Sequence, residues 1–367
     1  IMQSDKHSSA SLDGWSGGDV SLLSPRVCAA LARLYQAIEE GAPWPSASLH
    51  IRAVSLPKGA ADTENPLSYR IIKVASILYR RWGTLRLAHL RPWILSWSHP
   101  AHFAGVPGRS ATDAWFSSAL ELEHARLSNT PACAASVDIF KCFDQVNRPL
   151  VYALADMAGL PHPILAPYRT FLESSHAHFQ FGKSIGLPHR SKTSIPQGCP
   201  FSMVMIALLT LPWIRLMQST AARPRVLADD LLFTAIGEDC DVVLAHAFRL
   251  TADFMDHAGA RLALPTKGKL GKCFVCAADI STRDRIRHYT WGSARVALPA
   301  LSTFRDLGSH MNVSCRVDGS TLTARILSAL TSLGRLRHMP LPRSRKVTAI
   351  LTHILPKALY GAEATHV

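Results

Sequence analysis

Long apolar runs are scarce in this 367-residue sequence. The most apolar stretch, residues 201–216, is interrupted by Ser202, Thr210, Pro212 and Arg215 and falls short of the roughly 20 apolar residues that cross a bilayer. No membrane contact is expected, and the stretch reads as a buried helix. A signal peptide is missing too, which points to a nuclear or cytoplasmic protein, and the start at Ile1 rather than methionine reads as a piece of a longer product. Charge is sparse: 18% of residues are charged against 48% hydrophobic, so a packed chain is expected rather than a disordered one. Acids are the scarcer sign, 26 Asp and Glu against 40 Lys and Arg, which leaves +14. That excess would draw in a polyanion by counterion release, although charge alone fits an ordinary basic protein equally well. The eight cysteines lack the spacing of a disulfide framework, so reduced thiols are expected. Cys273 and Cys276 form a lone C-x-x-C that, without a second pair to complete a zinc tetrahedron, reads as structural. Repeats and low-complexity tracts are absent.

What is present is a succession of periodic segments. Residues 1–20 are rich in Ser, Gly and Asp and read as loose. Val27, Leu31, Leu34, Tyr35 and Ile38 follow Ser24 and Pro25 at helical spacing. Residues 50–56 and 69–75 read as strands of a hairpin with a basic tip, residues 76–130 as mostly helical, and 134–139 as a short apolar strand. Residues 147–180 read as helical, then a loop, then a helix over 201–214. Strands over 226–228 and 231–235 would flank Asp229 and Asp230 at a tight turn. A helix near 240–258, a Lys-rich loop, short strands to about 315 and two helical segments around Pro340 and Pro342 complete the reading.

Two acidic segments stand out. Asp138 ends an apolar strand and is followed by Phe143 and Asp144; Asp229 and Asp230 sit inside an apolar hairpin. Phosphoryl transfer from a nucleoside triphosphate uses two divalent ions about 3.5–4 Å apart, held by carboxylates that converge from separate elements. A pair of aspartates in apolar surroundings is costly unless a cation accompanies it. Taken alone, Asp229 and Asp230 are equally compatible with a polar hairpin turn.

Between the acidic segments lies Pro196-Gln197-Gly198, and the order D-x-x-x-x-F-D, P-Q-G, A-D-D resembles motifs A, B and C of reverse transcriptases. Further segments are similar to that family in the same order: Leu56-Pro57-Lys58 and Asn65 to Arg70 before motif A, with Gly105 to Asp113 after them, Phe304 to Gly308 as a primer grip, and Leu355 to Gly361 as a motif beyond the palm. The resemblance covers about residues 50–365. Cys199, Pro200, Phe201 and Ser202 look like the Q-G-C-P-L-S pattern of the non-LTR, LINE-like group, whereas group II intron enzymes usually carry Gly after P-Q-G.

The resemblance implies an α+β right-hand polymerase: a flexible segment over 1–20, fingers over 21–130, a palm over 131–315 whose antiparallel sheet packs on helices, and the start of a helical thumb over 316–367. It implies an RNA template, a DNA primer and dNTPs as partners, with two magnesium ions, or manganese in their place. Asp138 and Asp229 would bind both ions, with the Ile139 carbonyl and Asp230 assisting and Asp144 acting as a structural partner. Phe143 would be the steric gate under the sugar, Gln197 and Gly198 would meet the nucleotide and its base pair, and Lys58 and Arg70 would grip the triphosphate. Lys267, or Lys269, would protonate pyrophosphate. Leu307 and Gly308 would form the primer grip, and Arg325, Arg335, Arg337 and Arg345 would follow the nucleic-acid backbone. Leu227, Ile71, Met203 and Ala263 depart from the family's usual residues without removing a metal ligand, which leaves a co-opted polymerase fold that binds RNA without catalysis as the alternative.

Overall fold

The structure, a computed structural model, describes residues 8–57, 64–65, 68–265, 271–292, 295–314 and 318–364. Along the chain run α1 (Gly17–Ser21), α2 (Pro25–Glu39), β1 (His50–Pro57), β2 (Tyr69–Val74), α3 (Ile77–His89), α4 (Arg91–Trp97), α5 (Ala111–Leu127) and β3 (Ala132–Asp138). Next come α6 (Cys142–Gln145), α7 (Arg148–Met157), α8 (His162–Ser174), β4 (His176–Phe181), β5 (Ser184–His189), α9 (Ser202–Met217), β6 (Arg223–Leu227), β7 (Asp230–Ile236) and α10 (Cys240–His257). The remainder holds β8 (Phe274–Ala277), α11 (Ile280–Arg287), β9 (Ala300–Leu301), β10 (Thr303–Asp306), β11 (Ser309–Asn312), α12 (Ser320–His338), α13 (Arg343–Ala349) and α14 (Leu355–Leu359).

A five-stranded sheet of order β6-β7-β3-β8-β9 organises the molecule. Its central strand β3 is built from small residues because both of its faces are covered. Cys133, Ala135 and Val137 join the main core, while Ala132 and Ala134 join a second cluster with Leu122 and Ala125 of α5 and Phe304 and Met311 of the β10–β11 hairpin. The period of two thus sends alternate side chains into two different cores. A second sheet, β2-β1-β4-β5, combines the antiparallel β1–β2 hairpin with a parallel β1–β4 pairing. Helices α12 to α14 form a small cluster of their own around Ala329, Leu336 and Ile354. Among the described residues, no helix is long and apolar enough to cross a membrane.

The α2 helix starts as its sequence dictates: the Ser24 hydroxyl accepts from the Val27 amide and Pro25 occupies the first turn, a cap worth about 1 kcal/mol. Four differences from the sequence reading stand out. Residues 8–21, whose composition reads as loose, are tied down: the Ser11 hydroxyl donates to the Val74 carbonyl at 2.7 Å and Ser76 donates to Asp13 at 2.6 Å. The end of the segment read as helical, with the loop after it, forms β4 and β5, because β4 pairs with β1, a partner far away in sequence. The α11 helix occupies a region read as strand and loop. It is capped by Asp279 but buries only Thr282 and Ile286, so it carries little periodic signal. Finally, Leu227 pairs with Asp230, so the hairpin turn is Ala228-Asp229 and Asp230 belongs to β7.

Candidate active site

The end of β3 and the β6–β7 turn bring the two acidic segments together. Asp138 is opposite Asp230 in the β3–β7 register, and Ala228, with φ of 58°, adopts the left-handed conformation that a tight hairpin demands. Asp138 and Asp229 then line one open cleft of about 880 Å³, together with Ile139, Phe143, Arg70, Gln197 and Gly198. Those residues, scattered over four segments of the sequence, are the ones the motifs single out. Asp230 lies to the side, in the field of Asp306 and Arg225.

Backbone contacts fix the walls. The Asp138 carbonyl accepts from the Ala263 amide at 2.8 Å and the Phe140 amide donates to Arg261 at 2.8 Å. Lys141, at φ 47°, turns the chain into the one-turn helix α6, which presents Phe143 partly packed on the core and partly on the cleft. The Phe143 carbonyl accepts from Ile195 at 2.9 Å, Val146 accepts from Ser194 at 3.0 Å, and Thr193 donates to the Asp144 carbonyl at 3.1 Å. The turn carrying Gln197 is therefore stitched to the segment carrying Asp138. Beneath it, the Lys73 ammonium donates to Ser194 at 2.7 Å, and buried Arg148 donates to the Ser194 carbonyl at 2.8 Å. Burial lowers the Lys73 pKa, while Asp144 pulls it upward. Cys199 shares a 3.0 Å hydrogen bond with Tyr79 of α3, whose ring stacks on Phe171 of α8 at 3.6 Å. Gly198 has φ of 103°, and a Cβ there would meet the Lys73 carbonyl at an ordinary 3.5 Å; within the protein, conformation rather than space calls for glycine.

The sequence reading missed Lys272. Its ammonium lies 2.9 Å from Asp138, and that hydrogen bond and charge hold it above the usual lysine range. The register explains the contact: β8 pairs Phe274 with Ser136 of β3, and continuing the antiparallel pairing by two residues sets position 272 beside 138. The lysine-rich segment was the available signal. Lys267, Lys269 and Lys58 lie outside the described residues.

Burial, followed by repulsion from Asp138, raises the Asp229 pKa, while Lys272 and Arg70 oppose the rise. Asp230 is pushed up to about 6 by loss of surrounding water and then by Asp229, Asp138 and Asp306. Its side chain also reaches solvent, and burial and the neighbouring carboxylates act in the same upward direction. A carboxyl raised in the folded state binds its proton more tightly there than in the unfolded chain. The stability it contributes is present at low pH and is lost as pH rises from about 4 to about 6. In EDTA, an Asp230→Asn variant should therefore melt increasingly above the unmodified chain across that window, with the difference levelling off beyond it. A difference independent of pH would show that Asp230 is not raised.

Leu307 and Gly308 form the β10–β11 turn, with φ of 46° and 89°. Arg335 and Arg337 of α12 and Arg345 of α13 are exposed, as a surface role requires. Arg325, also expected to follow the nucleic-acid backbone, is half-buried, and its guanidinium donates to the carbonyls of Gly308 and Tyr360. The thiols of Cys273 and Cys276 are free and buried.

Residues 56–270 match the family described as reverse transcriptase (RNA-dependent DNA polymerase). No curated protein matches the chain. The match takes in more than half of the sequence and includes every residue found lining the cleft up to Leu264, with Gly271 and Lys272 just beyond it, so the chain belongs to the reverse transcriptase family of RNA-directed DNA polymerases.

Proposed function

We propose that the chain is the polymerase core of a non-LTR, LINE-like retrotransposon enzyme, a right hand in which β3, β6, β7 and β8 belong to the palm, the β2-β1-β4-β5 sheet to the fingers and α12 to α14 to the start of a thumb. The observation that carries the reading is the convergence of Asp138, at the end of β3, and Asp229, in the β6–β7 turn, on a cleft shared with Arg70, Phe143 and Gln197. Lys58 and Lys267 keep their proposed roles at the triphosphate and at pyrophosphate. The Q-G-C-P-F-S sequence at 197–202 supports the non-LTR assignment.

The carboxylates fit hard divalent ions. Asp229 and Asp230 are both raised by their neighbours' charge as well as by burial, the condition that a bound cation relieves. Among the described residues, no three His, Cys, Asp or Glu side chains are close enough to form a complete cage. Magnesium, which takes one or two carboxylates plus substrate phosphates and water, suits such a site, and manganese would serve in its place. Asp138 and Asp229 would hold the two ions with the Ile139 carbonyl, and Asp230 would assist. When bound, the ions activate the primer 3′-hydroxyl and neutralise the triphosphate. The chain's own contribution is positioning. Arg70 offers its planar fork of donors to the phosphates, Gln197 and Gly198 border the nascent base pair, and Phe143 lies under the sugar. Arg335, Arg337 and Arg345 would follow the template–primer backbone.

The gate tests the reading. Phe143→Val should raise the use of ribonucleotides relative to dNTPs by roughly 10- to 100-fold, the scale set by relieving one steric clash in a pocket, with dNTP incorporation retained. Single-turnover competition between dTTP and UTP on an RNA template measures it, and unchanged selectivity would reduce Phe143 to a packing residue.

A further inference from the structure

The β10–β11 turn is held from outside its own hairpin. Leu307 and Gly308 both have positive φ, a conformation that costs a leucine about 1 kcal/mol or more and persists only when its surroundings enforce it. Both turn carbonyls point at residues much later in the chain. The Tyr360 hydroxyl donates to the Leu307 carbonyl at 3.0 Å, and Arg325 of α12 bridges the carbonyls of Gly308 and Tyr360. The Arg325 guanidinium also lies 5.1 Å over the Tyr360 ring, which in turn meets the edge of buried Trp115 at 6.2 Å. Space at the joint is tight. A Cβ on Gly308 would come within 3.1 Å of Arg325 and 3.3 Å of Tyr360, and one on Gly361, at φ 75°, would collide with Ser309 at 2.7 Å.

We propose that Tyr360 and Arg325 are positioning residues for primer extension: they lock the Leu307-Gly308 turn to the C-terminal helices and so set where the primer's 3′ end sits relative to Asp138 and Asp229. This rests on the reading of that turn as a primer grip. A mere prop for folding would need no such arrangement of donors, since the turn already closes its own hairpin through the Asp306–Ser309 pairing. The bridge instead fixes the turn against α12 and the segment after α14, and any displacement there is passed directly to whatever the turn carbonyls and amides touch. Placement errors near an ångström are costly in a reaction that depends on alignment.

Tyr360→Phe removes one hydrogen bond and keeps the ring. The expected result is a loss of about fivefold in the single-turnover extension rate, the scale of one hydrogen bond, with apparent dNTP affinity unchanged and the melting midpoint lowered by no more than the loss of that one bond. Arg325→Lys should fail to restore normal rates, because a point charge cannot bridge two carbonyls as the planar fork does. Wild-type rates in both variants would overturn the proposal, as would a rate loss that merely follows a lowered melting midpoint and disappears on cooling. A primer ending in 4-thiothymidine separates this from the underlying reading. Crosslinking of its terminal nucleotide outside residues 303–312 would refute the primer grip itself, whereas crosslinking within them together with normal rates in Tyr360→Phe and Arg325→Lys would refute only the positioning role.

Discussion

Asp138→Asn and Asp229→Asn variants should each lose nucleotide incorporation by about a thousandfold or more, which corresponds to about 4 kcal/mol of transition-state stabilisation, while keeping their affinity for template–primer. The asymmetry follows from the site. The carboxylates contribute nothing that a nucleic-acid backbone would bind, yet they crowd one end of a sheet whose interior is apolar. Asp229 is already raised by burial and by Asp138, so an uncharged amide of the same shape removes repulsion. In EDTA at neutral pH, Asp229→Asn should therefore melt above the unmodified chain even as its activity disappears, the trade expected where stability is sacrificed to function. Asp138→Asn also gives up the Lys272 ion pair, but that lysine is largely exposed, and such pairs contribute little. Rapid-quench incorporation and thermal melting on the same preparations check both halves. Incorporation at the unmodified rate in either variant would remove that aspartate from the reaction.

Arg225→Met should destabilise the fold by about 3–5 kcal/mol, because it leaves a buried carboxylate without its partner. Arg225 on β6 and Asp306 on β10 form a two-pronged ion pair in which each side chain is only 5% exposed, one prong at 2.9 Å. The guanidinium also reaches the Ala114 carbonyl and the Ser118 hydroxyl of α5. The pair joins three elements beneath Asp230, and Arg225 lowers the Asp230 pKa. Its removal therefore exposes two carboxylates to each other. Replacing both partners, Arg225→Met with Asp306→Leu, should recover much of the loss, since no charge is then stranded. Denaturant unfolding of the two single variants and the double variant measures the coupling; a single-variant cost below about 1 kcal/mol, the value of an exposed pair, would show that the bridge is solvated.

How far the sequence reaches is clear from individual residues. Asp138, Phe143, Gln197 and Asp229 were legible because each sits in a short local pattern: an acid closing an apolar strand, an aromatic one turn later, a P-Q-G turn, an acidic hairpin. The α2 and α10 helices were legible through their periodic apolar faces and, for α2, its cap, and α9 through its continuous apolar composition, which buries it on nearly every side. Lys272 was not, because its partner is decided by the β8–β3 register rather than by anything nearby. The same holds for β4, whose pairing with β1 is parallel and remote, and for Arg325, where a basic helix residue reads as surface until its carbonyl partners are seen. Arg225 left no trace either: β6 reads Arg223-Pro-Arg-Val-Leu227, and nothing local separates exposed Arg223 from buried Arg225, whose burial costs energy unless it is paired.

This cleft is expected to perform template-directed DNA synthesis. The most direct test is single-turnover extension of oligo(dT) on poly(rA) by the unmodified chain, with dTTP and magnesium, alongside a measurement of template–primer affinity in the same buffer. The account predicts stepwise incorporation of dTTP that EDTA stops and manganese sustains, with binding of the duplex largely unaffected by EDTA. Retained affinity for the duplex with no incorporation under either metal would contradict it and leave a polymerase fold that only binds RNA.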